Sequence, residues 1–321
     1  MEGFQKRPDW AKRFGFDHFS NPQSKHFSWA LFDKAVIRPQ LNKAWNVLKG
    51  DAPKGSKKYK DAKLIVDKYS YDSAPMCLGR TIQSICDARL LPEQELKHTY
   101  GSTDRIEIEK DQRSKMEKYT FDEYTPNDDE KAHACREVLD PTLDNAMRGL
   151  EHAFKVLGLN TWEGETNIKM DLNGIEIPYY FKPDFNNLIE LKIRSPRHMP
   201  KSKKGWATGS LPTKPYASWL GQVSAYYFKT GRQPIVVCAN DRDYRLYHPD
   251  EGDYLMEKEN LEFTFDQIVS DLKIQQYIMK NAEDLNELVQ FVQPDWEHLS
   301  WSNKNPEVLQ EAKDLWGYRS N

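Results

Sequence analysis

Asp184, Glu190 and Lys192 fall within one short stretch, Phe181-Lys-Pro-Asp-Phe-Asn-Asn-Leu-Ile-Glu-Leu-Lys-Ile193. After Glu190 the next acidic residue is Asp241, and the fifty residues between them carry nine Lys or Arg in a chain of net charge -3. Two carboxylates and a lysine beside a basic tract match what phosphodiester hydrolysis needs at neutral pH. A hard divalent cation must polarise the phosphoryl oxygen and acidify a bound water. Carboxylates must hold that cation and leave positions open for water and substrate. A positive group must orient the water or offset charge in the transition state. Asp184 and Glu190 suit the second duty and Lys192 the third.

The elements that must position these groups are extended. Side chains at i and i+2 of a strand share a face, so Glu190 and Lys192 are neighbours, with Ile189, Leu191 and Ile193 on the other side. Asp184 belongs to the preceding segment. A three-residue connection, 185–187, would pair Asp184 with Leu188 and turn its carboxylate to the Glu190 face; a two-residue connection would turn it away. The shared site therefore predicts a three-residue loop or a bulge.

Upstream, Leu78, Ile82, Ile85, Cys86 and Leu90 recur at helical spacing. Asp140-Pro141 reads as the cap and first position of a second helix, with Leu143, Met147, Leu150, Phe154 and Leu157 as its stripe and Gly158 as its stop. Ile168, Met170 and Leu172 then alternate with polar residues. Asn173-Gly174 predicts a two-residue hairpin returning through Ile175 and Ile177. Past the catalytic strand, a helix follows Pro215 with Tyr216, Leu220, Val223 and Tyr227 as its stripe and ends near Gly231. Residues 234–239 form a continuously apolar strand suited to burial on both faces, and 244–247 offer another. The order helix, three strands, helix, strand predicts an α/β sheet flanked by helices. Residues 1–75 read as a helical N-terminal extension in which 50–60, with Lys54, Lys57, Lys58 and Lys60, is an exposed basic loop. Residues 76–260 read as the core, with a polar helical insertion at about 93–147. Residues 261–321 read as a C-terminal helical extension.

Composition narrows the class. Charged residues make up 30% and apolar residues 38% of 321, as in a globular protein rather than a disordered or membrane one. No run of eighteen apolar residues exists and the N-terminus has no signal-like apolar stretch, so a membrane partner is not expected. Cys77, Cys86, Cys135 and Cys238 are scattered without a CxxC pair, which argues for reduced core thiols in a cytoplasmic setting and against a zinc or iron–sulfur site. Residues 191–240 carry +9 while the other 271 carry -12, a local phosphate-binding face on an acidic body.

Taken together, Lys182-Pro183-Asp184, Ile189-Glu190-Leu191-Lys192 and Gln222-Val-Ser-Ala-Tyr226 resemble the PD-(D/E)XK nuclease superfamily in its RecB-like, lambda-exonuclease-like branch. Gly79-Arg-Thr-Ile-Gln83-Ser-Ile-Cys-Asp87 stands in the place of that branch's helical motif, usually Gly-x-x-x-His-x-x-x-Glu, with Gln83 for His and Asp87 for Glu. The resemblance covers about residues 76–240. It implies a restriction-endonuclease-like core, a mixed central sheet flanked by helices in the order αβββαβ. It implies Mg²⁺ or Mn²⁺ held by Asp184, Glu190 and the Leu191 carbonyl, with Lys192 positioning water and Gln222 steering Lys192, water or phosphate. Tyr226 would pack behind Gln222 or touch nucleic acid. Gln83 would replace the usual metal-binding imidazole with a weaker amide oxygen, or pass that duty to Asp87.

Arg194, Arg197, Lys201, Lys203 and Lys204 then read as a mobile, phosphate-contacting loop, in which Trp206 either stacks on a base or anchors the loop. The function implied is a metal-dependent exonuclease acting on DNA ends in a bacterial or phage-infected cell, in company with a single-strand-binding or recombination protein. A structure- or site-specific endonuclease of the same fold, or a catalytically weakened DNA-binding protein, are the alternatives.

Overall fold

A computed structural model describes residues 7–21, 26–50, 52–69, 73–119, 128–199, 205–298, 301 and 305–318. Two units are built from interleaved chain. Met1–Tyr71, Lys169–Tyr180 and Gln267–Asn321 form the first, and Asp72–Ile168 with Phe181–Asp266 the second. The sequence reads instead as three consecutive segments; here both ends of the chain belong to one unit. The strands are β1 (Ile168–Met170), β2 (Tyr179–Phe181), β3 (Ile189–Ile193), β4 (Pro196–His198), β5 (Trp206–Thr208), β6 (Ile235–Ala239) and β7 (Tyr244–Tyr247). The helices that bear on the site are α1 (Ala74–Leu90), α2 (Leu139–Val156) and α3 (Ala217–Thr230). The fold class is mixed α/β with small sheets.

In the second unit the sheet order is β3-β6-β7, with β3 parallel and β7 antiparallel to β6. β6 is buried at every position, as a central strand covered on both faces must be. Register sets the two faces: Ile189 lies opposite Ile235 and Leu191 opposite Val237, while Glu190 lies opposite Val236 and Lys192 opposite Cys238. The first set joins Leu78, Ile82 and Ile85 of α1 and Leu143, Ala146 and Leu150 of α2 in one apolar core. The second set faces α3. α2 approaches the sheet closely at Gly149, where a Cβ would come within 2.6 Å of the Val237 Cγ1.

Several expectations are corrected. β1 and β2 form a separate two-stranded ladder and do not extend the β3-β6-β7 sheet; only the bridge Phe185–Ile189 links the β2 segment to β3. The cause is local. With Phe185 and Ile189 exchanging hydrogen bonds, the next such pair is Pro183 and Leu191, and Pro183 has no N–H to donate. The Leu191 N–H turns instead to the Asp184 side chain. Asn173-Gly174 does turn the chain, with Gly174 at φ +80°, but the return strand begins at Tyr179 and not at Ile175. The intervening backbone is taken by Gln276, whose amide accepts from the Glu176 N–H and donates to the Gly174 carbonyl.

The insertion is helical at Glu93–Tyr100, Arg105–Glu117 and Asp128–Glu137. Helix α2 begins at Leu139, slightly before the expected cap at Asp140. The supposed mobile connector after β3 is a β4–β5 hairpin over 196–198 and 206–208, packed on helix Asp128–Glu137. On α3 the buried aromatics are Trp219 and Tyr226, whereas Tyr216 is exposed and Tyr227 half-buried.

The first unit carries a helical hairpin, Arg38–Lys49 and Lys57–Tyr69, so Lys57, Lys58 and Lys60 open a helix and do not lie in a loop. Phe32, Ile37, Trp301, Val308 and Ala312 form a core of that unit. Among the described residues, no helix is long and apolar enough to cross a membrane.

In most helix interiors a Gly→Ala change is stabilising by about 1 kcal/mol. At Gly149 the added methyl meets the fixed Val237 side chain. Gly149→Ala is expected to lower stability by roughly 1–3 kcal/mol, read as a lower urea midpoint; a raised midpoint would show that α2 and the sheet are less tightly apposed.

Candidate functional site

The site lies wholly in the second unit, where β3 leaves the turn that precedes it. Asn186 and Asn187 both take left-handed conformations, φ 51° and 57°, which asparagine tolerates better than most residues. Asn186 fastens this turn: its amide donates to the Thr161 carbonyl at 2.8 Å and its oxygen accepts from the Glu163 N–H at 3.3 Å. The connection between Phe185 and Ile189 is three residues long, 186–188, one position later than the 185–187 expected. The facing is the one the shared site requires, since pairing Phe185 with Ile189 sets Asp184 opposite Glu190.

Glu190 is 3% exposed and Asp184 8% exposed. Every carboxylate oxygen of the two has a donor. Asp184 Oδ2 accepts from the Leu191 N–H at 2.7 Å and Oδ1 from Gln83 Nε2 at 3.0 Å. Glu190 Oε1 is ion-paired with Lys192 Nζ, and Oε2 accepts from the Tyr226 hydroxyl. Tyr226 also stacks on Phe181 with ring centroids 5.5 Å apart. At 1% exposure it cannot touch nucleic acid, so its place is to hold Glu190.

Electrostatics follow from this crowding. Burial, and next the Glu190 charge, push the Asp184 carboxyl well above the usual range; Lys192 and the Leu191 N–H pull the other way. Burial works to lower Lys192, but Glu190 and Asp184 outweigh it and hold the ammonium protonated above its ordinary value. Two adjacent buried carboxylates with one ammonium, paired to Glu190, make a site that favours added positive charge. Leu191 adds a third oxygen: its carbonyl points to the Pro183 side of β3, where proline offers no N–H. Asp184, Glu190 and the Leu191 carbonyl thus fit a hard divalent ion by donor chemistry. Among the described residues, no three His, Cys, Asp or Glu side chains are grouped to hold an ion by themselves.

The α1 residues divide. Gln83 lies at the carboxylates, also reaching Glu165 at 3.4 Å, and facing two acids the amide must present its nitrogen. In this arrangement Gln83 is a donor to Asp184, and a ligand role would require the amide to reverse. Asp87, one turn on, accepts from the Tyr100 hydroxyl at 2.7 Å through Oδ2, while its buried Oδ1 has no hydrogen-bond partner among the described residues. Burial pushes the Asp87 carboxyl up to about 7, with Tyr100 opposing and Glu165 adding to the rise.

Gln222 is half-buried one helical turn before Tyr226, with no recorded bond to a described residue. Glu165, ion-paired with Lys182, is part of the surroundings of both Asp184 and Asp87. Sequence reasoning missed Glu165, which comes from a loop with no pattern to mark it, and gave Lys182 no role although it stands in the Lys182-Pro183-Asp184 motif.

The proposed DNA-contacting residues are dispersed. Arg194 continues β3 through its N–H to the Ala239 carbonyl at 2.8 Å, and its guanidinium lies over Tyr216. Arg197 is exposed on β4. Trp206 is held edge-on by His198 and donates to Glu130 at 3.0 Å, so it anchors the hairpin. Lys201, Lys203 and Lys204 lie outside the described residues. Cys77, Cys86, Cys135 and Cys238 are free and buried.

In comparisons with known proteins, no family model, no curated protein and no solved structure matches this chain.

Asp87 yields a pH prediction. Its folded value of about 7 exceeds the ordinary 3.8, so the folded state resists ionisation. The stability tied to its protonated form is complete below about pH 4 and is lost as pH rises through about 7. In chelator, Asp87→Asn should therefore flatten the fall in urea midpoint between those pH values. An unchanged profile would mean that Asp87 is already ionised in the folded state.

Proposed function

We propose that the second unit is a nuclease core of the restriction-endonuclease-like type, and that the protein is a metal-dependent exonuclease acting on DNA ends. One observation carries this reading: Asp184 and Glu190 are buried side by side, with the Lys192 ammonium on the second. A solvated strand face would leave both acids in water. Burying two carboxylates costs several kcal/mol unless charge of opposite sign accompanies them, so the arrangement calls for a function.

Asp184, Glu190 and the Leu191 carbonyl would hold Mg²⁺ or Mn²⁺, which when bound would polarise a phosphoryl oxygen and lower the pKa of a coordinated water. Tyr226 and Gln83 are positioning residues, fixing the Glu190 and Asp184 carboxylates in place. Lys192 holds its proton and offers positive charge to water or to the phosphoryl group. Gln222, on the same helix as Tyr226, is placed to orient Lys192, water or phosphate. Asp87, whose buried Oδ1 has no partner among the described residues, would take up the metal-binding duty that Gln83 leaves open as a donor. Arg194, Arg197 and the lysines at 201, 203 and 204 supply positive charge for the strand. The four buried free thiols favour a cytoplasmic setting, and a single-strand-binding or recombination protein is a natural partner for an enzyme that exposes single strands.

Purified protein with Mg²⁺ or Mn²⁺ is expected to degrade linear duplex DNA and spare covalently closed circles. Glu190→Gln and Lys192→Ala should each slow degradation by about 10²-fold or more. Cutting of the closed circle would redirect the reading to an endonuclease, and full activity in Lys192→Ala would remove the site from the chemistry.

A second readout is independent of turnover. Saturating Mn²⁺ should raise the melting temperature of the parent, by mass action on the folded state, and leave that of Glu190→Gln unchanged. Equal shifts in both would place the ion elsewhere.

A further inference from the structure

The first unit carries a charge feature that the candidate catalytic site does not use. Residues 38–69 contain nine Lys or Arg against three Asp, a local +6 in a chain of -3. They fold as a helical hairpin, Arg38–Lys49 and Lys57–Tyr69. Ala44 and Ala62, equidistant from the turn, are buried and allow the two helices to approach closely. Arg38 is paired with Asp33, and Lys68 with Glu307 and Glu311. The other seven, Lys43, Lys49, Lys54, Lys57, Lys58, Lys60 and Lys63, are all exposed, and none has an ion pair with a described residue.

Helical spacing sorts these charges. On the second helix Lys57, Lys60 and Leu64 lie on the side opposite Ala62, with Lys63 on its flank. On the first, Arg38, Asn42, Trp45 and Lys49 run along one exposed face opposite Ala44. Seven like charges on about thirty residues repel one another, and within the hairpin only Asp51, Asp61 and Asp67 offset them. The folded hairpin is therefore stabilised by any polyanion that supplies countercharge.

We propose that this hairpin is a nucleic-acid docking surface that grips the phosphate backbone without reading sequence. A membrane surface is the competing polyanion, and the apolar pattern argues against it. An interfacial helix presents a whole apolar face to lipid. Here the apolar faces are spent on packing: Leu41, Val47, Leu48, Ile65 and Val66 are half-buried and only Trp45, at 41%, and Leu64, at 67%, are exposed. Lysines spaced along two rigid helices suit a regular row of phosphates, and each phosphate engaged releases a condensed counterion. The inference deepens the nuclease reading by adding a second place where DNA is held. It does not rest on that reading, since docking requires no ion and no chemistry at Glu190.

The test is fluorescence anisotropy of the full chain in chelator with a labelled 30-bp duplex, titrated at several salt concentrations. Neutralising Lys54, Lys57, Lys60 and Lys63 to Gln is expected to weaken binding by about tenfold or more. It should also reduce the slope of log affinity against log salt by at least ~1, as ~0.9 per lost phosphate contact requires. A control with the same charge change, Lys97, Lys110, Lys118 and Lys155 to Gln, should bind within about twofold of the parent.

These side chains are exposed, so circular dichroism should show both variants folded. Equal loss in the two variants would reduce the effect to net charge and overturn the proposal. So would unchanged binding in the hairpin variant, or hairpin-dependent binding to phosphatidylserine vesicles without binding to the duplex. Failure of the nuclease reading would show instead in the degradation assay, with hairpin-dependent binding intact.

Discussion

A carboxylate removed from water must be met by charge or by donors, and Glu190 is the place where this constraint organises the second unit. At 3% exposure it draws Lys192 to one oxygen and the Tyr226 hydroxyl to the other. Removing one partner of such a buried pair typically costs about 3–5 kcal/mol, because the remaining charge is stranded. On α3 it is Tyr226, stacked on Phe181, and not Tyr227, whose hydroxyl reaches that oxygen. Asp184 is served in the same way, by the Leu191 N–H and by Gln83.

The proline next to Asp184 matters through what it lacks. An N–H at position 183 would let β2 zip onto β3 as an ordinary antiparallel pair, and the Asp184 side chain would lose its claim on Leu191. Because Pro183 offers none, the ladder stops after one bridge and the backbone polar groups of Leu191 are given over to the site. A sheet edge is thereby converted into an oxygen-rich pocket, at the expense of a larger sheet. The same economy appears at Asn186, whose side chain ties the turn to residues 161–163 and so brings Glu165 within reach of Gln83.

Charge is segregated along the chain in two separate ways. The acid-free tract after Glu190 begins in a buried strand and passes into a hairpin whose aromatic residue is anchored by Glu130. The lysines of residues 43–63 instead stand exposed along a helical hairpin. An exposed lysine without an ion pair loses little by taking a phosphate as its partner.

Alternation, periodicity and turn chemistry act over a few residues, and what depends on them was legible in the sequence. This includes the α1 stripe, the buried β6 strand, the end of α3 at Gly231, and the sharing of one face by Glu190 and Lys192. It includes the turn at Asn186-Asn187 as well, though one residue out of register. What the sequence could not settle were competitions between distant groups. Gln276 takes the backbone that would have made a tight hairpin at Asn173-Gly174. Tyr226 rather than Tyr227 is the buried ring, stacked on Phe181 and bonded to Glu190 of β3, both distant in sequence. Glu165 joins the surroundings of the site from a segment without pattern and pairs with Lys182. Each of these is decided by which partner lies nearest in space, a quantity that spacing along the chain does not contain.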